Sequence, residues 1–98
     1  MFYAKTFKAG KDTVLAMCDE DLMGTTIKTE ELELKITNHF YGESKIDDES
    51  KALDMMENCT IGNLIGKRIV ALAEEHGFIT KENIISIGGV RHAQFVKI

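Results

Sequence analysis

Two hydrophobic periods divide the chain. Thr13-Val14-Leu15-Ala16-Met17-Cys18 is a nearly unbroken apolar run of strand length, as expected of a strand covered on both faces. Phe2 to Lys8 before it is rich in aromatic and β-favouring residues. Ala9-Gly10-Lys11-Asp12 supplies a turn, so the two segments predict a β-hairpin. Cys18-Asp19-Glu20-Asp21 ends the second strand abruptly. This acidic run reads as a solvated strand end, because the alternate ligand spacing and central glycine of a calcium loop are missing. From Leu32 the pattern alternates: Leu32, Leu34 and Ile36 face one way, Glu33, Lys35 and Thr37 the other. That is a half-buried strand, with a short strand over Thr25 to Lys28 before it and Asn38-His39-Phe40-Tyr41-Gly42 closing the segment.

The period then lengthens. Asp47 or Asp48 caps a helix whose stripe is Ala52, Leu53, Met56 and Cys59. Thr60 reads as the N-cap of a second helix carrying Ile61, Leu64, Ile65, Ile69, Leu72 and Ala73. Gly77 after His76 suits a left-handed residue ending that helix, with Phe78 folding back on its last turn. Thr80-Lys81-Glu82-Asn83 predicts one helical turn. Ile84-Ile85-Ser86-Ile87 and Val90 through Ile98 flank Gly88-Gly89, a second hairpin whose tight turn needs positive φ. Strands at both ends with helices between predict an α+β fold. The expected form is a two-layer α/β sandwich, with two central helices on one face of a largely antiparallel sheet.

Composition bounds this picture without choosing a function. The 98 residues are 44% hydrophobic, which fits a single domain over residues 1–98 able to bury about two-thirds of its extended surface without staples. Disordered tails, fibrous repeats and multidomain enzymes are excluded. The formal net charge is −4, unevenly spread: residues 1–49 hold six Lys/Arg and eleven Asp/Glu, residues 50–98 six and five. Nucleic-acid modules normally carry a clear basic stripe, and this chain barely shows one, in a weakly basic C-terminal stretch. Cys18 and Cys59 are isolated, which excludes a CxxC zinc or redox motif and suggests buried, reduced thiols in the cytoplasm. The first residues lack the apolar run of a signal peptide, and no stretch approaches the roughly 18–20 apolar residues of a membrane span.

Candidate chemistry is sparse. His39, His76 and His92 share no ligand spacing, so no metal is expected. Thr60-Ile61-Gly62-Asn63, opening the second helix, would offer backbone N–H groups to an anion. Gly62 and Gly66, four apart, would pack on one helix face. Lys67 and Arg68 then form a solvated edge or a small anion-attracting patch. In Gly88-Gly89-Val90-Arg91-His92-Ala93-Gln94, Arg91 can grip a phosphate or carboxylate with both prongs. His92 and Gln94 share a strand face. The plainer alternative is an exposed edge strand guarded by polar side chains. No nucleophile–base–orienter set is present, so no catalytic residue is assigned.

Four blocks carry a family resemblance: Val14-Leu15-Ala16-Met17-Cys18-Asp19 with Leu22-Met23-Gly24; Phe40-Tyr41-Gly42; Ala52 to Gly66, ending Asn58-Cys59-Thr60-Ile61-Gly62-Asn63-Leu64-Ile65-Gly66; and Ile87 to Gln94. Over nearly its whole length the chain resembles the archaeal family called domain of unknown function 424. The resemblance implies a small archaeal cytoplasmic protein with a two-layer α/β sandwich, loosely associated with translation and RNA. It brings no activity, cofactor or catalytic residue. Its motifs point to Asn58, Thr60, Asn63, His92 and Gln94; where the family often has proline this chain has Arg91. The expected function is a non-enzymatic binding module for RNA or a translation-related protein. The net charge of −4 makes a protein the more natural direct contact. The alternative is a small enzyme or phosphate-ligand binding protein using His92, Gln94 and Asn63. A third expectation is a homodimer through an exposed edge strand.

Overall fold

The computed structural model describes residues 1–42 and 44–97. The first hairpin forms as expected. Strand β1 (Phe2–Ala9) pairs antiparallel with β2 (Asp12–Asp19), and Gly10 turns between them with φ of 64°. A short 3₁₀ turn (Glu20–Leu22) leads to a two-stranded ribbon, β3 (Thr26–Lys28) and β4 (Glu33–Lys35). β4 is shorter than the alternation predicts. Leu32 lies in the turn, its amide bonded to Thr29 Oγ1, and is exposed, while Ile36 is buried. A four-residue helix α1 (Asn38–Tyr41) and strand β5 (Ser44–Ile46) follow, where the sequence pattern predicts neither.

Helix α2 (Glu49–Asn58) starts where the pattern places it, with Asp48 accepting from the Ser50 amide. The next segment departs from expectation. Ile61–Ile65 is a strand, β6, and helix α3 covers only Lys67–Glu75. Thr60 is therefore no helix cap, and Gly62 and Gly66 do not share a helix face. β6 buries Gly62 and Leu64 on the helix side and Ile65 on the other, so Ile61, Leu64 and Ile65 fit a helical stripe as well as a strand. Gly66, with φ of 123°, takes the N-cap position instead, six residues after Thr60. Gly62 is needed within the strand, since a Cβ there would lie 2.1 Å from the Phe95 ring.

Gly77 ends α3 with φ of 80°, and the Phe78 amide returns to the Ala73 carbonyl. A capped 3₁₀ turn (Lys81–Asn83) precedes the second hairpin, β7 (Ile84–Ile87) and β8 (Val90–Val96). Ile98, the end of the expected strand, lies outside the described residues.

The fold is α+β. Six strands form one sheet in the order β5-β1-β2-β6-β8-β7, antiparallel throughout except for the parallel pair β2·β6. β8 is internal, so the polar run Arg91–Gln94 does not guard an edge; β5 and β7 are the edges. Helices α2 and α3 lie on one face, burying Ala52, Met56, Ile69 and Val70 against Phe2, Leu15, Met17, Leu64 and Phe95. Each of the larger side chains among them contributes about 1.5–3 kcal/mol when fully buried. The other face is partly covered: Ile27, Ile36 and Tyr41, from the ribbon and α1, pack on Ala16, Cys18 and Ile65. Among the described residues no helix is long and apolar enough to cross a membrane.

Candidate functional site

Register across four strands builds rows of side chains on that second face, since residues opposite one another in a sheet point the same way. One row is Phe7, Val14, Ile61 and Val96. The next is Lys5, Ala16, Asn63 and Gln94, and the third is Tyr3, Cys18, Ile65 and His92. The third row lies partly under the ribbon and α1. The first is uncovered, with Val96 64% exposed. The middle row is the boundary, and it is where the polar side chains sit.

Asn63 is the centre of this boundary. Its Oδ1 accepts from His92 Nε2 at 2.9 Å and from Tyr41 Oη at 3.5 Å. With Nε2 donating, Nδ1 of His92 remains an acceptor. The Asn63 amide NH2 and the exposed Gln94 remain as well, so the row keeps donors and acceptors for a ligand. Burial lowers the His92 pKa below its ordinary 6.5 and keeps the ring neutral at neutral pH. Burial also pushes the Tyr41 hydroxyl up to about 12, so it stays a protonated donor. Phe40 meets Phe7 edge-on at 6.1 Å and Tyr41 at 4.8 Å, forming an exposed aromatic rim.

The six residues singled out from sequence separate into groups. Asn63, His92 and Gln94 come together. Asn58 ends α2, where its Nδ2 donates to the Asp54 carbonyl. Thr60 joins strand starts: its Oγ1 accepts from the Thr13 amide at 2.9 Å and donates to Asp12 Oδ1 at 3.1 Å. The anion site expected at Thr60–Asn63 does not form, because that segment is a strand whose amides belong to the sheet. Arg91 points to the opposite side of β8 from His92. Sequence reasoning missed Tyr41, Phe7 and Phe40 as neighbours of this row, since only strand register brings them there.

Arg91 instead lines a cleft of about 760 Å³ at the carboxyl ends of β2 and β6, together with Lys67, Arg68 and residues 19–22. Asp19 is not a solvated strand end. It is 4% exposed, and its two oxygens accept from the Arg68 and Ile69 amides at 3.0 and 2.9 Å, capping α3. Gly66 makes room for it: a Cβ there would lie 2.3 Å from the Asp19 carboxyl carbon.

The three histidines do not converge. His39 is in α1, His76 caps the end of α3, and His92 is on β8. Among the described residues, no three His, Cys, Asp or Glu side chains are placed to hold a metal. Cys18 and Cys59 are buried and unpaired, and burial pushes the Cys18 thiol up to about 12.

A family model described as "Protein of unknown function (DUF424)" matches residues 7–98. Among solved structures, the chain is similar to an uncharacterized conserved protein from Methanopyrus kandleri. The TM-score is 0.83 and the identity 24%, over 99% of this chain and 93% of that one. At that identity the likeness concerns the fold alone. No curated protein matches the chain.

Proposed function

The chain belongs to the family described as "Protein of unknown function (DUF424)", and from that premise we propose that it is a non-enzymatic binding module taking single-stranded RNA on the uncovered half of its sheet. The observation that carries this reading is the Asn63–His92 pair with Gln94 beside it, half-buried and still holding free donors and acceptors. Single-stranded RNA is recognised by hydrogen bonds to base edges and by stacking on aromatic side chains. Phe7 and Phe40 supply the aromatic surface at the rim of the row.

Charge fits this reading better than the chain's total suggests. The first two rows hold one formal charge, that of Lys5, so the −4 belongs to other surfaces. Affinity then comes from stacking and base contacts, with few phosphates neutralised and a shallow salt dependence. A binding role fits the groups around this site, since the Cys18 thiol and the Tyr41 phenol both stay protonated and supply no nucleophile. The layered arrangement, helices on one face and contact on the other, serves RNA–protein assemblies in the cytoplasm, with translation the setting the family resemblance suggests.

Fluorescence titration with a labelled RNA of about six nucleotides tests the reading. Saturable binding at low salt is expected, weakened about ten-fold by Phe7→Ala or Asn63→Ala, the order of one stacking or base contact. No binding at low salt, where phosphate contacts are strongest, removes RNA as the ligand and leaves a protein partner for this face.

A further inference from the structure

We propose that the cleft at the carboxyl ends of β2 and β6 is a second site, for a small phosphate-bearing ligand held by Arg91, Lys67 and Arg68. At about 760 Å³ it falls within the usual range of small-molecule pockets, about 300–1,000 Å³. Its place, beyond the ends of a parallel strand pair and at the start of the following helix, is analogous to the crevice where open α/β sheets seat their ligands.

Charge selects the ligand class. The cleft has three acidic residues on one wall, yet most of their capacity is already engaged. Both oxygens of Asp19 accept from α3 amides, and Glu20 is paired with the Met1 amino group and, at 3.4 Å, with Lys45. Amide bonds leave the Asp19 charge in place, so Asp19 and Asp21 stand against three cations, and among the described residues none of the three forms an ion pair. They come from two elements that the backbone locks together: the Gly66 amide donates to the Arg91 carbonyl at 2.8 Å. With Glu20 matched by the Met1 amino group, three cations against Asp19 and Asp21 leave the cleft a net positive charge, which an anion complements.

The side chains, not the helix end, hold this ligand, because Asp19 already takes the Arg68 and Ile69 amides. Two guanidinium forks and an ammonium suit an anion with several oxygens. The site is independent of the RNA face, since Arg91 and His92 project from opposite sides of β8.

Calorimetric titration with pyrophosphate, and separately with citrate, tests the proposal. Saturable pyrophosphate binding is expected, with citrate weaker. Arg91→Gln and the double variant Lys67→Gln/Arg68→Gln should each weaken pyrophosphate about ten-fold, the scale of one charge-assisted contact. Lys81→Gln, a cation outside the cleft, should change nothing. If Arg91→Gln does not fold, the double variant carries the same test. Absence of saturation, or equal effects of the cleft variants and Lys81→Gln, overturns the site. Citrate binding as tight as pyrophosphate overturns the phosphate assignment. An RNA titration that fails while pyrophosphate still binds removes only the RNA reading.

Discussion

Asp19 and Asn63 are both polar residues in central strands, and they do opposite work. Asp19, at the end of β2, is buried and has both oxygens engaged by amides of α3. Asn63, in the middle of β6, is half-buried and has one atom engaged, by His92 and Tyr41. A polar group whose bonds are all made inside the protein holds the fold together. One that keeps free donors at a surface can bind something else. Their neighbours agree: Gly66 is shaped to fit Asp19, whereas Asn63 stands at the border between covered and uncovered sheet.

The largest expected effect lies on the Asp19 side. Gly66→Ala places a Cβ 2.3 Å from the Asp19 carboxyl carbon at a φ of 123°. Backbone strain and overpacking together should cost about 4 kcal/mol, read as a fall in the urea midpoint or as failure to fold. Asp19→Ala comes next. It leaves the Arg68 and Ile69 amides without their acceptor, at about 2 kcal/mol by denaturant unfolding. Burial keeps that figure modest: it raises the Asp19 pKa more than the two amide bonds lower it, so the ionised cap gives back part of what its bonds contribute. If Asp19→Ala is neutral, the contrast with Asn63 fails on this side.

Asn63→Ala should cost less stability, about 1 kcal/mol, while weakening RNA binding about ten-fold. Stability equal to wild type with binding intact would make Asn63 irrelevant to both fold and function.

The smallest effect is a pH dependence. The His92 pKa is lowered in the folded protein by burial. As pH falls below 6.5 the unfolded chain takes up a proton that the folded one resists. Stability therefore declines from pH 6.5 down to the folded pKa and levels off below it. Urea unfolding at pH 7 and pH 5 checks this, and His92→Gln should flatten the difference in that interval. A slope unchanged by His92→Gln would mean that other groups set it.

The same pair explains what could be read from sequence. Local signals survived: the Gly10 and Gly88-Gly89 turns, the Asp48 cap, the Gly77 helix end and the Thr80–Asn83 turn each depend on residues within a few positions. β6 does not read as a strand because its buried residues, Gly62, Leu64 and Ile65, fall on both faces, so its apolar positions show no alternation. Asp19 was misread because its partners lie 49 and 50 residues away. In the candidate site, His92 and Gln94 were legible from strand alternation. Asn63 was singled out from a motif but placed on a helix, and Tyr41 and Phe7 join it only through register across the sheet.

The most direct test of the central claim is amide chemical-shift mapping of the isotope-labelled protein during titration with a short single-stranded RNA at low salt. Perturbations concentrated at Phe7, Phe40, Asn63, His92, Gln94 and Val96, with the α2–α3 face silent, are predicted. Perturbations confined to the helical face, or none on the uncovered rows of the sheet, would contradict it.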